Sequence, residues 1–299
     1  MSFSSEIKAS SSVMPRRDDE CRAMLYGMII FSHTFSESEF SFRTETAEVS
    51  DIFCGLMLGV LDLMVTPAVS VKKSGEIYSI KITDKNVLNR IFEEFSKNGI
   101  SKIDSSLISS PHTEISFLKG AFLSCGYINS PDQPYRLDFT VKDADLAVEL
   151  ALVLSRQINV MPKMSVRKTY QVVYYRESNL IVDFLNLIGQ SSAAFTILNS
   201  QIERDIRNNL NRQNNFDIAN IGKKARTSYE QIDAINALIE SGEFEKLPVS
   251  LRTTAKLRLN DPDASLETIA KACEPPISKS QVSKRLSQIV ELSKNKPKG

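Results

Sequence analysis

Two segments of almost unbroken apolar character, RAMLYGMIIFS (residues 22–32) and ISFLKGAFLSC (residues 115–125), punctuate the first two thirds of the chain. Apolar side chains all round a helix predict a helix buried on every side. Behind each comes an alternating stretch, FSFRTETAEV or YRLDFTV, and then a second helical run, SDIFCGLMLGVLDL or DADLAVELALVLSRQI. A hairpin follows, AVSVKKSGEIYSIKIT or KMSVRKTYQVVYYR, with strand-like alternation over residues 78–82 and a turn at Ser74-Gly75. NVLNRIFEEF and NLIVDFLNLI close the two units as helices. The pattern predicts αββαββα twice, an α+β class.

The two units also align residue by residue. Leu25 falls on Leu118 and Gly27 on Gly120 at an offset of 93, Val71-Lys72-Lys73 on Val166-Arg167-Lys168 at 95, and the closing helices again at 93. Such a drift is what loop insertions and deletions leave behind in a duplication. The reading places an N-terminal arm at residues 1–19 and a duplicated domain at 20–194, with repeats at 20–100 and 114–192. Gly27 and Gly120 would let two backbones approach closely, so the buried helices are expected to pack together on a pseudo-two-fold axis.

After residue 194 the pattern changes. Ile202, Ile206, Leu210 and Ile218 recur at near-helical spacing through an Asn-rich stretch, which predicts a linker helix over 195–227 with Asn215 and Asn220 near ends or turns. Its Arg204, Arg207, Arg212, Lys223, Lys224 and Arg226 suit either phosphate contacts or a solvated face. Residues 228–299 read as an all-α domain of capped helices. Ser228-x-x-Gln231 opens the first, which ends at Gly242, and Pro248 starts the second, with Leu251, Ala255 and Leu259 on one face. Pro262 breaks the chain, Ser265 caps a third helix, Pro275-Pro276 stop it, and Ser278-x-x-Gln281 caps the last. The final pair predicts a helix-turn-helix with a turn longer than the minimal one and small Ala270 at the crossing.

Length, at roughly 150 residues per domain, fits two domains in 299 residues. The formal net charge is +1, so a nucleic-acid surface must be a local patch. One exists. From residue 275 onward Lys279, Lys284, Arg285, Lys294, Lys296 and Lys298 stand against Glu291 alone. On the last helix Val282, Leu286 and Ile289 form a buried stripe, and at about 100° per residue Ser280, Lys284, Ser287 and Gln288 point outward. Such donors and acceptors read base edges, with Lys279 and Arg285 placed for phosphates and Gln281 as base contact or capping partner. On the predicted strands Arg43, Lys72, Lys73, Lys81, Arg136, Lys163, Arg167 and Lys168 are interspersed with Glu39, Glu45, Glu48, Glu76 and Asp138, the mixture of a solvated sheet face. The hairpin pairs Lys72-Lys73 and Arg167-Lys168 leave room for an auxiliary phosphate contact.

Cys21, Cys54, Cys125 and Cys273 lie far apart without histidines at ligand spacing, which predicts reduced thiols, no metal site and no cofactor. The N-terminus lacks a signal pattern and no apolar run reaches the about 20 residues of a membrane span, so a cytoplasmic protein is expected. With His33 and His112 the only histidines, Ser-His-Asp hydrolysis has little room.

LYGMIIFSH and LKGAFLSCG resemble the LAGLIDADG motif of homing endonucleases, whose fold is αββαββα in tandem. The resemblance puts that family's metal-holding acids at Ser32 and Cys125, and the motif's earlier acid at Ile30 and Leu123. No carboxylate stands at any of the four, so a scaffold without nuclease activity is expected. The same motifs together with MSFSSEIK, RNNLNRQNNFDIAN and ASLETIAKACEPPISKSQVSKRL closely resemble the bacterial WhiA family. That likeness covers essentially the whole chain. It implies a nucleoid-associated transcriptional regulator of promoter DNA, tied to sporulation or to cell division and chromosome segregation. A C-terminal domain similar to sigma-factor region 4 is also implied, and RNA polymerase or another regulator is an expected partner. Two other readings stay open: an active LAGLIDADG endonuclease or maturase, and a helical module that binds protein and not DNA.

Overall fold

Contacts divide the chain into two compact units, Met1–Arg204 and Asp205–Gly299, in a computed structural model that describes residues 2–72, 75–96, 99 and 101–294. In the first unit α1 (Phe3–Ser11) precedes one αββαββα copy: α2 (Asp18–Ile30), β1 (Thr34–Ser36), β2 (Glu39–Thr44), α3 (Ala47–Leu61), β3 (Ala68–Lys72), β4 (Gly75–Ile82) and α4 (Lys85–Phe95). The second copy is α5 (Pro111–Cys125), β5 (Gly126–Ile128), β6 (Leu137–Val141), α6 (Ala144–Ile158), β7 (Lys163–Arg167), β8 (Tyr170–Tyr175) and α7 (Ser178–Leu187). The duplicated α+β architecture expected from the periodicity is the one observed.

Each copy folds its strands into an antiparallel four-stranded sheet, in the orders β1-β2-β4-β3 and β5-β6-β8-β7. Register follows the apolar alternation. Phe42 pairs with Ile80 in one sheet and Phe139 with Val173 in the other, and all four are buried on the helix-covered side. On that side Phe42 stacks on Phe53 of α3 at 4.3 Å, while Phe139 meets Phe184 of α7 edge-on at 5.6 Å. β3 and β7 are sheet edges, exposed along their whole length.

The centre of the unit is the pairing of α2 with α5, the most extensive helix–helix contact among the described residues. Side chains from Ala23 to Ile29 are inaccessible, as the all-round apolar pattern requires. A Cβ built on Gly27 would overlap the Phe117 carbonyl oxygen, and one on Gly120 would overlap that of Met24. The two backbones therefore meet directly. Tyr26 is the polar group carried into this core, and its hydroxyl oxygen accepts from the Asp104 amide at 2.7 Å. Burial raises that phenol to about 12.

Two readings from the pattern are corrected, and one lies partly outside the described residues. The supposed arm contains α1, which docks Ile7 into the core and whose Ser4 hydroxyl accepts from the Ile128 amide at 3.2 Å. Its apolar face is one residue wide per turn, too narrow to register as periodicity. Ser74 of the expected turn and the neighbouring Lys73 lie outside the described residues, whereas Gly75 has φ +130°, open mainly to glycine. The second correction concerns the expected linker. No helix ends at 227 and none begins at Ser228, because α8 runs unbroken from Ser191 to Glu240. The segment contains no proline and one glycine, Gly222, and asparagine weakens a helix only modestly. Ser228 is thus no cap: its hydroxyl donates to the Pro262 carbonyl. Ala194 and Ile197 at the start of α8 belong to the first core, Ile235 and Leu238 near its end to the second.

The second unit continues from α8 through a 3-10 turn (Phe244–Lys246) to α9 (Val249–Asn260), α10 (Leu266–Ala272) and α11 (Lys279–Lys294). On α9 the buried face is Leu251, Thr254, Ala255 and Arg258, while Leu259, expected on it, is only half-buried. Arg258 replaces it because its guanidinium has partners there, donating to the Ala264 carbonyl at 2.7 Å and to that of Pro262 at 3.3 Å.

The helix seam yields a direct expectation. Gly27→Leu must push two backbones apart, and overpacking of this kind costs about 1–3 kcal/mol or more. Denaturant unfolding should show the loss in the first unit's transition with the second unit's unaltered. A variant as stable as the parent would mean that the helices do not meet at Gly27.

Candidate nucleic-acid interface

The last helix is held by local chemistry legible in the sequence. Ser265 caps α10, its hydroxyl accepting from the Thr268 amide at 3.1 Å. The connection over residues 273–278 turns back where the Ile277 amide donates to the Ala270 carbonyl at 3.1 Å. Buried Ala270 at that point lets the chain pass closely. At the start of α11, Ser278 and Gln281 satisfy each other. The Ser278 hydroxyl accepts from the Gln281 amide at 3.2 Å, and the Gln281 side-chain oxygen accepts from the Ser278 amide at 3.0 Å.

Val282, Leu286 and Ile289 are completely buried against a core that includes Leu251, Ala255 and Ile269. With that stripe fixed, Lys279, Ser280, Lys284, Ser287 and Gln288 are all exposed, as the helical arithmetic predicts. Two residues behave differently. Gln281 is exposed, but its oxygen is engaged by the cap, which leaves the amide nitrogen to face outward chemistry. Arg285, expected to meet phosphates, is half-buried and turned onto α9, where it donates to the Thr254 hydroxyl at 3.3 Å. It flanks the buried stripe, and a long side chain there covers apolar surface before it reaches water.

Ser283, passed over in the sequence, is also exposed, and the same 100° rotation that selects Ser280 and Ser287 would have included it. Glu291, the only acid on α11, shares the outward face two turns beyond Lys284. The acid-free surface is therefore the N-terminal half of the helix. Lys296 and Lys298 lie outside the described residues.

The nuclease-like positions come together in the first unit. Ser32 follows the end of α2 and Cys125 ends α5, and both line one open cavity of about 570 Å³. The Ser32 hydroxyl donates to the Thr34 carbonyl at 3.2 Å. Burial pushes the Cys125 thiol up to about 12, against the opposing pull of the Lys8 ammonium. That ammonium donates to the Leu123 carbonyl at 3.2 Å, and burial lowers it to about 8. A hydroxyl and a neutral thiol do not fit the divalent metal of this fold, which takes oxygen ligands, typically carboxylates. Among the described residues no group of three or more His, Cys, Asp or Glu could hold a metal ion.

On the sheets, Lys81 pairs with Glu39 at 3.2 Å, Arg136 with Asp138 at 2.6 Å and Lys163 with Glu177 at 3.1 Å. The first is a surface pair of the mixed-charge kind expected, the second is largely covered, and the third reaches from β7 to the start of α7. Lys168 sits in the β7–β8 turn at φ +57°. Among the described residues no helix is long and apolar enough to cross a membrane.

Stability measurements separate the two sides of α11. Leu286→Ala should cost the second unit about 2–5 kcal/mol, and Lys284→Ala no more than about 0.5 kcal/mol. Equal melting of the two variants would contradict the assignment of faces.

Comparison with known proteins agrees with both halves of this description. Residues 114–207 match the model of the WhiA LAGLIDADG-like domain, and residues 210–293 that of the WhiA C-terminal HTH domain. A protein of Thermoanaerobacter sp. (strain X514) named probable cell division protein WhiA is 30% identical over 98% of this chain and 98% of its own length. A protein of that name from Caldicellulosiruptor bescii is 32% identical, covering 100% of this chain and 97% of the relative. Among solved structures, full-length DUF199/WhiA from Thermatoga maritima superposes with a TM-score of 0.60 at 24% identity, over 100% of both chains. The N-terminal LAGLIDADG domain of DUF199/WhiA gives 0.50 at 21% identity, over 63% of this chain and 92% of that one. At those identities the structures speak for the fold, while relatives matched end to end at 30% or more speak for descent: this chain belongs to the WhiA family.

Proposed function

We propose that this chain is a sequence-specific DNA-binding regulator of transcription, linked to cell division, that cuts no DNA. The observation that carries the reading is the outward face of α11, free of acids over the N-terminal half of the helix and seated on a fully buried Val282, Leu286 and Ile289 stripe in a helix-turn-helix. Ser280, Lys284, Ser287 and Gln288 read base edges in promoter duplex, and Lys279 meets the phosphate backbone. Gln281 contributes through its amide nitrogen while its oxygen holds the cap. Arg285 acts from behind, keeping α11 on α9. The relatives' name, probable cell division protein, supports the link to division. The same reading places the protein at the nucleoid in the cytoplasm, with RNA polymerase or another regulator as the partner that the family resemblance implies.

Lys284→Ala tests this directly. Loss of a base contact should weaken operator binding by about 1–3 kcal/mol and relax preference at one position. Loss of a phosphate contact should instead weaken all duplexes alike and make the salt slope shallower by about one unit. Parent-like affinity at every salt concentration, shared by Ser280→Ala and Gln288→Ala, would turn the reading toward a protein-binding module.

The absence of cleavage has its own test. The carboxylates that would hold magnesium or manganese are replaced by Ser32 and Cys125, so DNA bound by the purified protein should stay intact with either metal. Cutting that disappears in Ser32→Ala or Cys125→Ala would overturn it.

A further inference from the structure

We propose that the cavity at the ends of α2 and α5 is a phosphate-binding site, built around Arg43, Lys142 and His33 where the fold would otherwise hold a metal. The proposal involves none of the residues of α11 and stands apart from their DNA-reading role. At about 570 Å³ the cavity lies within the ~300–1,000 Å³ of ligand-sized pockets, larger than a lone phosphate requires. Arg43 rises from β2 and Lys142 from the end of β6, so each sheet supplies one cation to the same opening. Among the described residues neither takes part in an ion pair.

Lys142 donates one N–H to the His33 carbonyl, which holds its ammonium beside the end of α2 and leaves two donors. Asp143 is the one acid among the lining residues, while Glu39 and the exposed Glu45 lie close by outside the lining. Asp143 accepts from the Leu146 amide at 2.8 Å and from the Ser101 hydroxyl at 2.8 Å, and Glu39 pairs with Lys81. Cys125 stays a neutral thiol, and Thr140 and Tyr170 line the opening with hydroxyls. Partial burial lowers the His33 pKa, with Lys142 and Arg43 adding repulsion and Glu39 opposing them. The wall that would attract a cation in a nuclease thus attracts an anion here. A guanidinium fork beside an ammonium suits a phosphoryl group, whether carried by a free nucleotide or by a nucleic-acid backbone.

The chain has two histidines, so the imidazole proton resonances of His33 and His112 report separately in the full-length protein. Titration with pyrophosphate, with metal-free ATP and with a short random-sequence duplex should shift His33 saturably and raise its pKa, leaving His112 still with the two small probes. A response to pyrophosphate and ATP identifies a free phosphorylated ligand, and a response to duplex alone identifies backbone phosphate. Arg43→Gln and Lys142→Gln, both at exposed side chains, should each weaken the responding probe by about tenfold and raise His33's pKa in the free protein. The proposal falls if no probe moves His33 at millimolar concentration. It falls equally if well-folded Arg43→Gln and Lys142→Gln proteins bind as the parent does. Should either variant melt early, the parent's titration decides alone.

Discussion

The first unit depends on two helix backbones touching without side chains between them. α2 and α5 can be buried on all sides only because each lies against the other, and they can lie that close only because Gly27 and Gly120 offer no Cβ. The sheets then find their places by covering what the helix pair leaves uncovered. Phe42 of β2 and Phe139 of β6 face inward, and the register that puts them there fixes the rest of each strand. The same pairing brings Ser32 and Cys125, which terminate equivalent stretches of the two copies, to one cavity. A hydroxyl and a thiol, not two carboxylates, stand at that cavity.

The second unit reaches its order differently. Its helices are short and its core small, so the ends matter more. Ser265, Ser278 and Gln281 satisfy amides that a helix leaves open, and Arg258 reaches past the end of α9 to carbonyls of the following loop. Polar side chains here set where helices start and how the chain turns between them. Only with those ends fixed does the Val282, Leu286 and Ile289 stripe hold Lys284 outward.

Much of this was legible in the residues because the signals are local or periodic. The glycines inside unbroken apolar runs, the two-residue alternation of the strands and the Ser-x-x-Gln pattern before α11 each state a geometry directly. What escaped notice depends on partners remote in sequence. α1 looks polar until the second copy supplies Ile128 and Leu123 beside it. Ser228 has a cap's sequence, yet its hydroxyl is claimed by Pro262, and nothing nearby is strong enough to break α8. Arg285 reads as a free cation until α9 places Thr254 beneath it. The cationic cavity was invisible for the same reason, since Arg43 and Lys142 come from different copies and meet only after the helices pair.

The edge strands give the recurring basic hairpins a meaning that needs no ligand. β3 and β7 are open to solvent along one side of each sheet and carry exposed Val69, Val71, Met164 and Val166. An open edge with apolar side chains is a template on which another chain can add a strand. Lys72 and Arg167 end those strands beside the hairpin turns, and charged side chains on an open edge disfavour the addition of a further strand. A cation at the end of an open edge is thus a feature of the margin itself, whatever the cavity and the last helix bind.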